Sequence, residues 1–204
     1  MSSLFAIVAP FSEIIYFRDY WHPQTLFPLI YLFHYPAPIL EDLLFGFFIG
    51  GIASVIYEEL WGKRISSRRD RLHHWVSFIP SLLGIALLVL VFSIKYLDLN
   101  AVYANILVFA VCSLVMLAYR QDLWFDSLMS GILVGAVMFF AYVIFLKVYP
   151  GVIQRWWLLS NLSGLTLIGV PFEEFLWAFG MGMMAGPLYE FMAGLKFKKN
   201  FNNR

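Results

Sequence analysis

The sequence predicts an all-α fold, a polytopic membrane helix bundle, and three observations carry that prediction. Charge is sparse: 13% of the 204 residues are charged and 61% are hydrophobic, against about 25% charged in soluble domains. Apolar runs near the length that crosses a bilayer recur along the chain. They are continuous rather than alternating, which favours helices over a closed barrel as the way to pair backbone groups in lipid. The third observation is an internal parallel repeat. VPFEEFLWAFGMGMMAGPLYEF at 170–191 has an earlier copy at 38–59, and a shift of 132 aligns them without a gap. Glu41 falls on Glu173, Asp42 on Glu174, Gly50 on Gly182, Tyr57 on Tyr189 and Glu58 on Glu190.

Taken in order, Leu4–Phe17 is apolar but short, and Pro10 interrupts it, so a kinked or interfacial helix is expected. Arg18 to Pro23 is a charged and aromatic knot of the kind found at membrane interfaces. Thr25–Tyr35 is too short to span and reads as re-entrant or interfacial. Five spans follow: Ile39–Trp61, Val76–Tyr96, Ala101–Tyr119, Trp124–Tyr149 and Gly169–Leu195. Leu97 to Asn100 makes a tight turn, and 150–163 is an amphipathic aromatic connection. The whole of 1–204 reads as one membrane domain. Small residues four apart, Gly46, Gly50 and Ser54, then Ala178, Gly182 and Gly186, form a ridge that lets helices approach closely. Pro187 faces Val55 in the alignment, so a kink is expected in the second copy alone.

Basic residues set the orientation. Five lie in the loop (Lys63, Arg64, Arg68, Arg69, Arg71) and four in the tail (Lys196, Lys198, Lys199, Arg204), nine of the fourteen in the chain. Both repeated helices must run the same way, so the 62–74 loop and the C-terminal tail are expected on the cytoplasmic side. The acid pairs then lie near the outer face. The N-terminus lacks a basic n-region and is read as part of the mature protein. A net charge of +1 argues against a nucleic-acid partner, and Cys112 is the only cysteine, a small buried residue with no intramolecular disulfide.

The chemistry rests on carboxylates. Glu41 with Asp42, and Glu173 with Glu174, follow a proline in a first helical turn, where acids also suit the macrodipole. If one of each pair points into the bundle, the two carboxyls of the pair can divide acid and base roles. Phe45, Phe172, Trp177 and Phe179 crowd beside them and offer ring faces that stabilise a cation without a nucleophile. Glu58 and Glu190 read as inner-interface anchors. His73 and His74 suit headgroup contact better than metal ligation, and His22 and His34 have no evident partner. Asp122 and Asp126, four apart, share a helical face and suit Mg²⁺ on a diphosphate. No metal site is otherwise expected.

The residues Pro171-Phe-Glu173-Glu174-Phe-Leu-Trp177 through Tyr189-Glu190 resemble the lycopene cyclase domain of bacterial, archaeal and fungal carotenoid cyclases. Pro38-Ile-Leu-Glu41-Asp42-Leu-Leu-Phe45 through Tyr57-Glu58 is a weaker copy, with Glu-Asp for Glu-Glu and one more residue after the proline. The resemblance implies a redox-neutral isomerase that needs no cofactor. A carboxylic acid protonates the terminal double bond of a linear carotenoid or polyisoprenoid, the cation closes a ring, and a carboxylate removes a proton. Glu173 and Glu174, then Glu41 and Asp42, are the catalytic candidates. Phe45, Phe172, Trp177 and Phe179 are the substrate-binding ones. The alternatives are a prenyl-diphosphate-using membrane enzyme and a non-catalytic polyisoprenoid-binding protein. Intramembrane CAAX-type proteases expect a nearby Arg that Glu173–Gly180 lacks. The lipid bilayer and an apolar isoprenoid are the expected partners, with a homo-oligomer left open.

Overall fold

The computed structural model describes residues 1–25, 30–32, 35–37, 39–61, 65–66, 78–194 and 196–197, with backbone alone for 30–32, 35–37, 61, 65–66 and 196–197. The described chain is mostly helical. In order it forms α1 (Ser2–Asp19), β1 (Ile30–Leu32), β2 (Tyr35–Ala37), α2 (Ile39–Ala53), α3 (Ile56–Trp61), β3 (Ile65–Ser66), α4 (Phe78–Tyr96) and α5 (Ala101–Tyr119). Then come α6 (Trp124–Val148), α7 (Val152–Trp156), β4 (Thr166–Leu167), β5 (Val170–Pro171), α8 (Phe172–Ala185), α9 (Leu188–Ala193) and β6 (Lys196–Phe197).

Among the described residues, three helices are long and apolar enough to cross a membrane: α4, α5, and α6 with the 3₁₀ turn Gln121–Leu123 that leads into it. The five uninterrupted spans expected are corrected to these three, because each repeated stretch is divided. Its longer piece, 15 residues in α2 and 14 in α8, rises only about 21–23 Å at 1.5 Å per residue, short of the roughly 30 Å hydrocarbon core. The expected asymmetry is also corrected. A break falls at Ser54-Val55 as well as at Gly186-Pro187, and under the shift of 132 the ends Ala53 and Ala185, and the restarts Ile56 and Leu188, coincide. In the first stretch the Ser54 hydroxyl donates back to Gly51 O at 3.0 Å, a local bond that competes with the helix ladder. In the second, Pro187 has no N–H for Met183 O, and the buried Ser127 hydroxyl of α6 takes that carbonyl at 2.7 Å. Ser127→Ala is therefore expected to lower stability in detergent by about 1–2 kcal/mol, read as a lower midpoint of thermal unfolding. An unchanged midpoint removes this role from Ser127.

Pro10 does not interrupt α1, which runs unbroken through it for 18 residues. The segment expected to be re-entrant near Thr25–Tyr35 carries an antiparallel pairing, Ile30 opposite Ala37 and Leu32 opposite Tyr35. Its residues 26–29 and 33–34, His34 among them, lie outside the described residues. So do His73, His74 and the basic residues of 63–71 and 198–204. The backbones of Ile65–Ser66 and Lys196–Phe197 pair antiparallel.

Packing follows the small residues. α1 lies along α2, where Gly46 faces the Phe5 carbonyl and Ala9, and Gly50 faces the Phe5 ring. α8 lies along α6, where Gly182 faces Ser130, Gly131 and Val134. α5 covers the other side of α8, and α4 packs on α5. The end of α1 is tied to the rest of the bundle by polar bonds. Asp19 Oδ1 accepts from Ala101 N at 3.1 Å, and Asn161 Nδ2 donates to Asp19 O at 2.7 Å. Asn100 caps α5 through Val102 N and Tyr103 N. His22 N donates to Trp156 O, and Leu158 N to Tyr20 O, so the strand-like segments after α1 and α7 run side by side. This pairing brings Trp157 into the bundle.

Candidate active site

The helix pair α1–α2 and the bundle α5–α6–α8 meet around a cavity of about 430 Å³, within the range of small-molecule sites. Four carboxyl residues line it: Glu13 from α1, Glu41 and Asp42 from α2, and Glu174 from α8. No Lys, Arg or His stands among the described residues of its wall. The rest of the wall is chiefly aromatic and apolar, including Tyr16, Trp21, Phe45, Phe109, Tyr142, Trp157 and Trp177.

Glu174 is 5% exposed and both of its oxygens are engaged. Tyr142 Oη donates to Oε2 and Trp157 Nε1 to Oε1, each at 2.6 Å. Trp157 Nε1 is also 3.2 Å from Tyr20 Oη. Three separate parts of the chain thus fix one carboxyl: α8 carries it, α6 supplies the phenol, and the segment after α7 supplies the indole. Trp177, one turn on from Glu174, donates to Tyr16 Oη at 2.7 Å, which ties α8 to α1 across the cavity. The Trp177 ring packs 6.1 Å from Phe45 and 5.6 Å from Phe109. These separations are those of ordinary aromatic packing.

Glu13 is 2% exposed. Its Oε2 accepts from Trp21 Nε1 at 3.2 Å, and its Oε1 accepts nothing. Asp42 lies near enough to act on it electrostatically. Asp42 Oδ2 is likewise buried without a hydrogen bond.

The residues singled out from the sequence divide. Glu41, Asp42, Glu174, Phe45 and Trp177 come together at the cavity. Glu173 does not line it. It is 1% exposed, and its Oε1 accepts from Tyr103 Oη at 2.6 Å and from Ser163 N at 2.8 Å. That ties α5 and the 158–171 segment to the start of α8. Phe172 is 40% exposed; it stacks on Phe175, which stacks on Phe179, on the side of α8 that meets Gly131 and Gly135 of α6.

Asp122 and Asp126 do not share a face, because Asp122 sits in the 3₁₀ turn before α6. Asp122 pairs with Arg120 at 2.8 Å. Asp126 is buried, takes the Ser130 hydroxyl at 3.1 Å and stands with Glu58 and Glu190, their oxygens within 4.8 Å of one another. The anchors Glu58 and Glu190 are thus brought together at the broken ends of the two repeated stretches. Hard divalent ions take oxygen donors of this kind.

Sequence reasoning missed Glu13, Tyr16, Tyr142 and Trp157. A signal existed for the first: Glu13 is a lone acid within the apolar run from Leu4 to Phe17. The others had none, since phenols and indoles in membrane segments are commonplace.

A sequence model of the lycopene cyclase family matches residues 100–192. The matched segment runs from the N-cap of α5 into α9 and includes Tyr142, Trp157, Glu173 and Glu174. No curated protein and no solved structure matches the chain.

Proposed function

We propose that this chain, whose residues 100–192 match a sequence model of the lycopene cyclase family, is a membrane isomerase that closes a ring on the end of a linear carotenoid or polyisoprenoid. The observation that carries the reading is the cavity that joins carboxyls of α2 and α8 inside aromatic walls. Protonating an alkene requires a positioned acid, and ending the reaction requires a base. The cation between them survives only where water is kept out and ring faces surround it. Each requirement has residues here. Glu174 with Glu41 and Asp42 supplies the carboxyls, and Phe45, Phe109, Tyr142 and Trp177 supply the rings. The reaction is redox-neutral, so it balances without an oxidant or reductant. Glu173 serves by fixing the start of α8 beside Glu174 rather than by meeting substrate.

The two stretches 38–59 and 170–191 are read as copies of one unit, in which α2–α3 answers to α8–α9. Coincident helix ends and the meeting of Glu58 with Glu190 support this. The chain is read as multi-pass, with the 62–74 loop and the C-terminal tail cytoplasmic. The pairing of β3 with β6 supports one side for both, and nine of fourteen basic residues in them support that side being the cytoplasm. Asp122 pairs with Arg120 while Asp126 stands with Glu58 and Glu190, so the two acids of the diphosphate alternative do not act as one pair.

Expression in cells that accumulate lycopene is expected to yield cyclic pigment, identified by absorption and mass. Substrate and product have equal mass, so chromatographic shift with unchanged mass is the signature. A well-expressed chain that binds lycopene and leaves it linear supports the non-catalytic binder instead.

A further inference from the structure

We propose that Glu13 of α1 is the proton-donating carboxyl of the cavity and that Glu174 of α8 is its proton-accepting counterpart. The proposal rests on the cyclisation reading above and assigns the two roles that reading requires.

The assignment follows from hydrogen bonding. Glu174 receives two donors, one on each oxygen. Indole N–H can only donate, so Oε1 is kept as an acceptor, and a carboxylate held by two donors is prearranged to take a proton from a nearby cation. Glu13 has the opposite surroundings. One oxygen meets Trp21, the other meets no donor, and no cation stands among the described residues of the wall. An isolated buried carboxylate is costly unless paired or protonated. Asp42 adds like charge beside it rather than relief. A carboxylic acid in this position can hold its O–H until an alkene end enters the cavity. The lone acid in an apolar helix, otherwise without explanation, then has a function.

The steps balance. The Glu13 O–H bond breaks and its proton forms a C–H bond at the CH carbon of the terminal (CH₃)₂C=CH alkene, leaving a tertiary cation on the dimethyl-bearing carbon. The neighbouring double bond attacks that cation, forming the ring C–C bond and moving the charge within the new ring. Glu174 removes a proton from the adjacent carbon, whose electrons become the ring double bond. Glu13 is left ionised and Glu174 protonated, and both return to their starting states by exchange with water once product leaves.

The test uses the full chain in membranes or detergent, supplied with lycopene. Glu13→Gln is expected to lower cyclic product by about 100-fold or more, the scale of a lost general acid. Glu13→Asp is expected to recover part of it. Trp21→Phe, which removes the donor to Glu13 and keeps an aromatic ring in the wall, is expected within about tenfold of wild type, the scale of one neutral hydrogen bond. Glu59→Gln, at an exposed position on α3, is expected to match wild type. In D₂O each ring is expected to carry one deuterium. Should Glu13→Gln not fold, Glu13→Met, an apolar filler, takes its place. Cyclic product near wild-type level from the Glu13 variant overturns this proposal and leaves the cyclase reading standing. Equal losses in Glu13→Gln and Trp21→Phe also overturn it, since Glu13 would then only seat Trp21. No cyclic product from wild type overturns both.

Discussion

Glu174→Gln is expected to fold as wild type does and to lose cyclic product by about 100-fold or more. The substitution keeps the volume of a side chain that is 5% exposed. Its amide oxygen can still accept from Trp157 Nε1. Its NH₂ can donate to Tyr142 Oη, because a phenol accepts as well as donates. The fold therefore keeps its bonds, while the carboxylate proposed to take a proton from the ring cation is gone. Glu174→Ala is a poorer test. It leaves the buried Trp157 N–H without that acceptor, at about 1–3 kcal/mol, so that lost activity and lost structure coincide. Glu173→Gln supplies the contrast: Glu173 is bound to Tyr103 and Ser163 outside the cavity, and its loss is expected to cost less product than that of Glu174. The measurement is cyclic pigment per folded protein, with folding read from the thermal midpoint in detergent. Wild-type product from Glu174→Gln removes Glu174 from the chemistry. A Glu173 variant more damaged than the Glu174 one reverses the assignment within the pair.

Much of this site was legible in the sequence because its carriers are local. The proline, the adjacent acids and the apolar run mark two helix starts, and the shift of 132 makes them a pair. Ala101–Tyr119 and the start at Trp124 were readable for the same reason: charge and polar turns bound a continuous apolar run. What was not legible depends on contacts between distant segments. Adjacent carboxylates cannot face one way on a helix, and nothing local says which of Glu173 and Glu174 turns toward the cavity. That choice is made by Tyr142, 32 residues before Glu174, and by Trp157. Trp157 itself arrives through backbone pairing with the segment after α1. The break in the first repeated stretch was missed because no proline announces it there. Pro10 misled in the opposite direction: it sits inside a helix that packs firmly enough on α2 to continue through it. Discounting that helix also hid Glu13.

The small-residue ridge yields a prediction about stability. Gly182→Ala is expected to destabilise the chain by about 1–3 kcal/mol. A Cβ at that position would stand 2.7 Å from Ser130 O, 2.8 Å from Val134 Cβ and 3.0 Å from Gly131 Cα. Two of these are backbone atoms of α6, so relief requires α6 and α8 to separate, and α8 carries Glu174. Gly50→Ala, the corresponding change in α2, meets Phe5 Cβ and Cδ2 at 2.6 Å and Cγ at 2.7 Å; that Cβ is held by the α1 backbone, so relief requires α1 and α2 to separate. Gly46→Ala belongs with Gly182→Ala, because it meets the Phe5 carbonyl at 2.5 Å and Ala9 Cβ at 2.8 Å. Thermal unfolding in detergent should therefore rank all three well below Gly84→Ala in α4, where an added Cβ meets nothing within 4 Å. Their consequences for activity should differ. Forcing α8 off α6 pulls Glu174 from Tyr142, whereas forcing α2 off α1 shifts Asp42 relative to Glu13. A Gly182→Ala chain as stable as wild type would mean that α6 and α8 do not pack through this ridge.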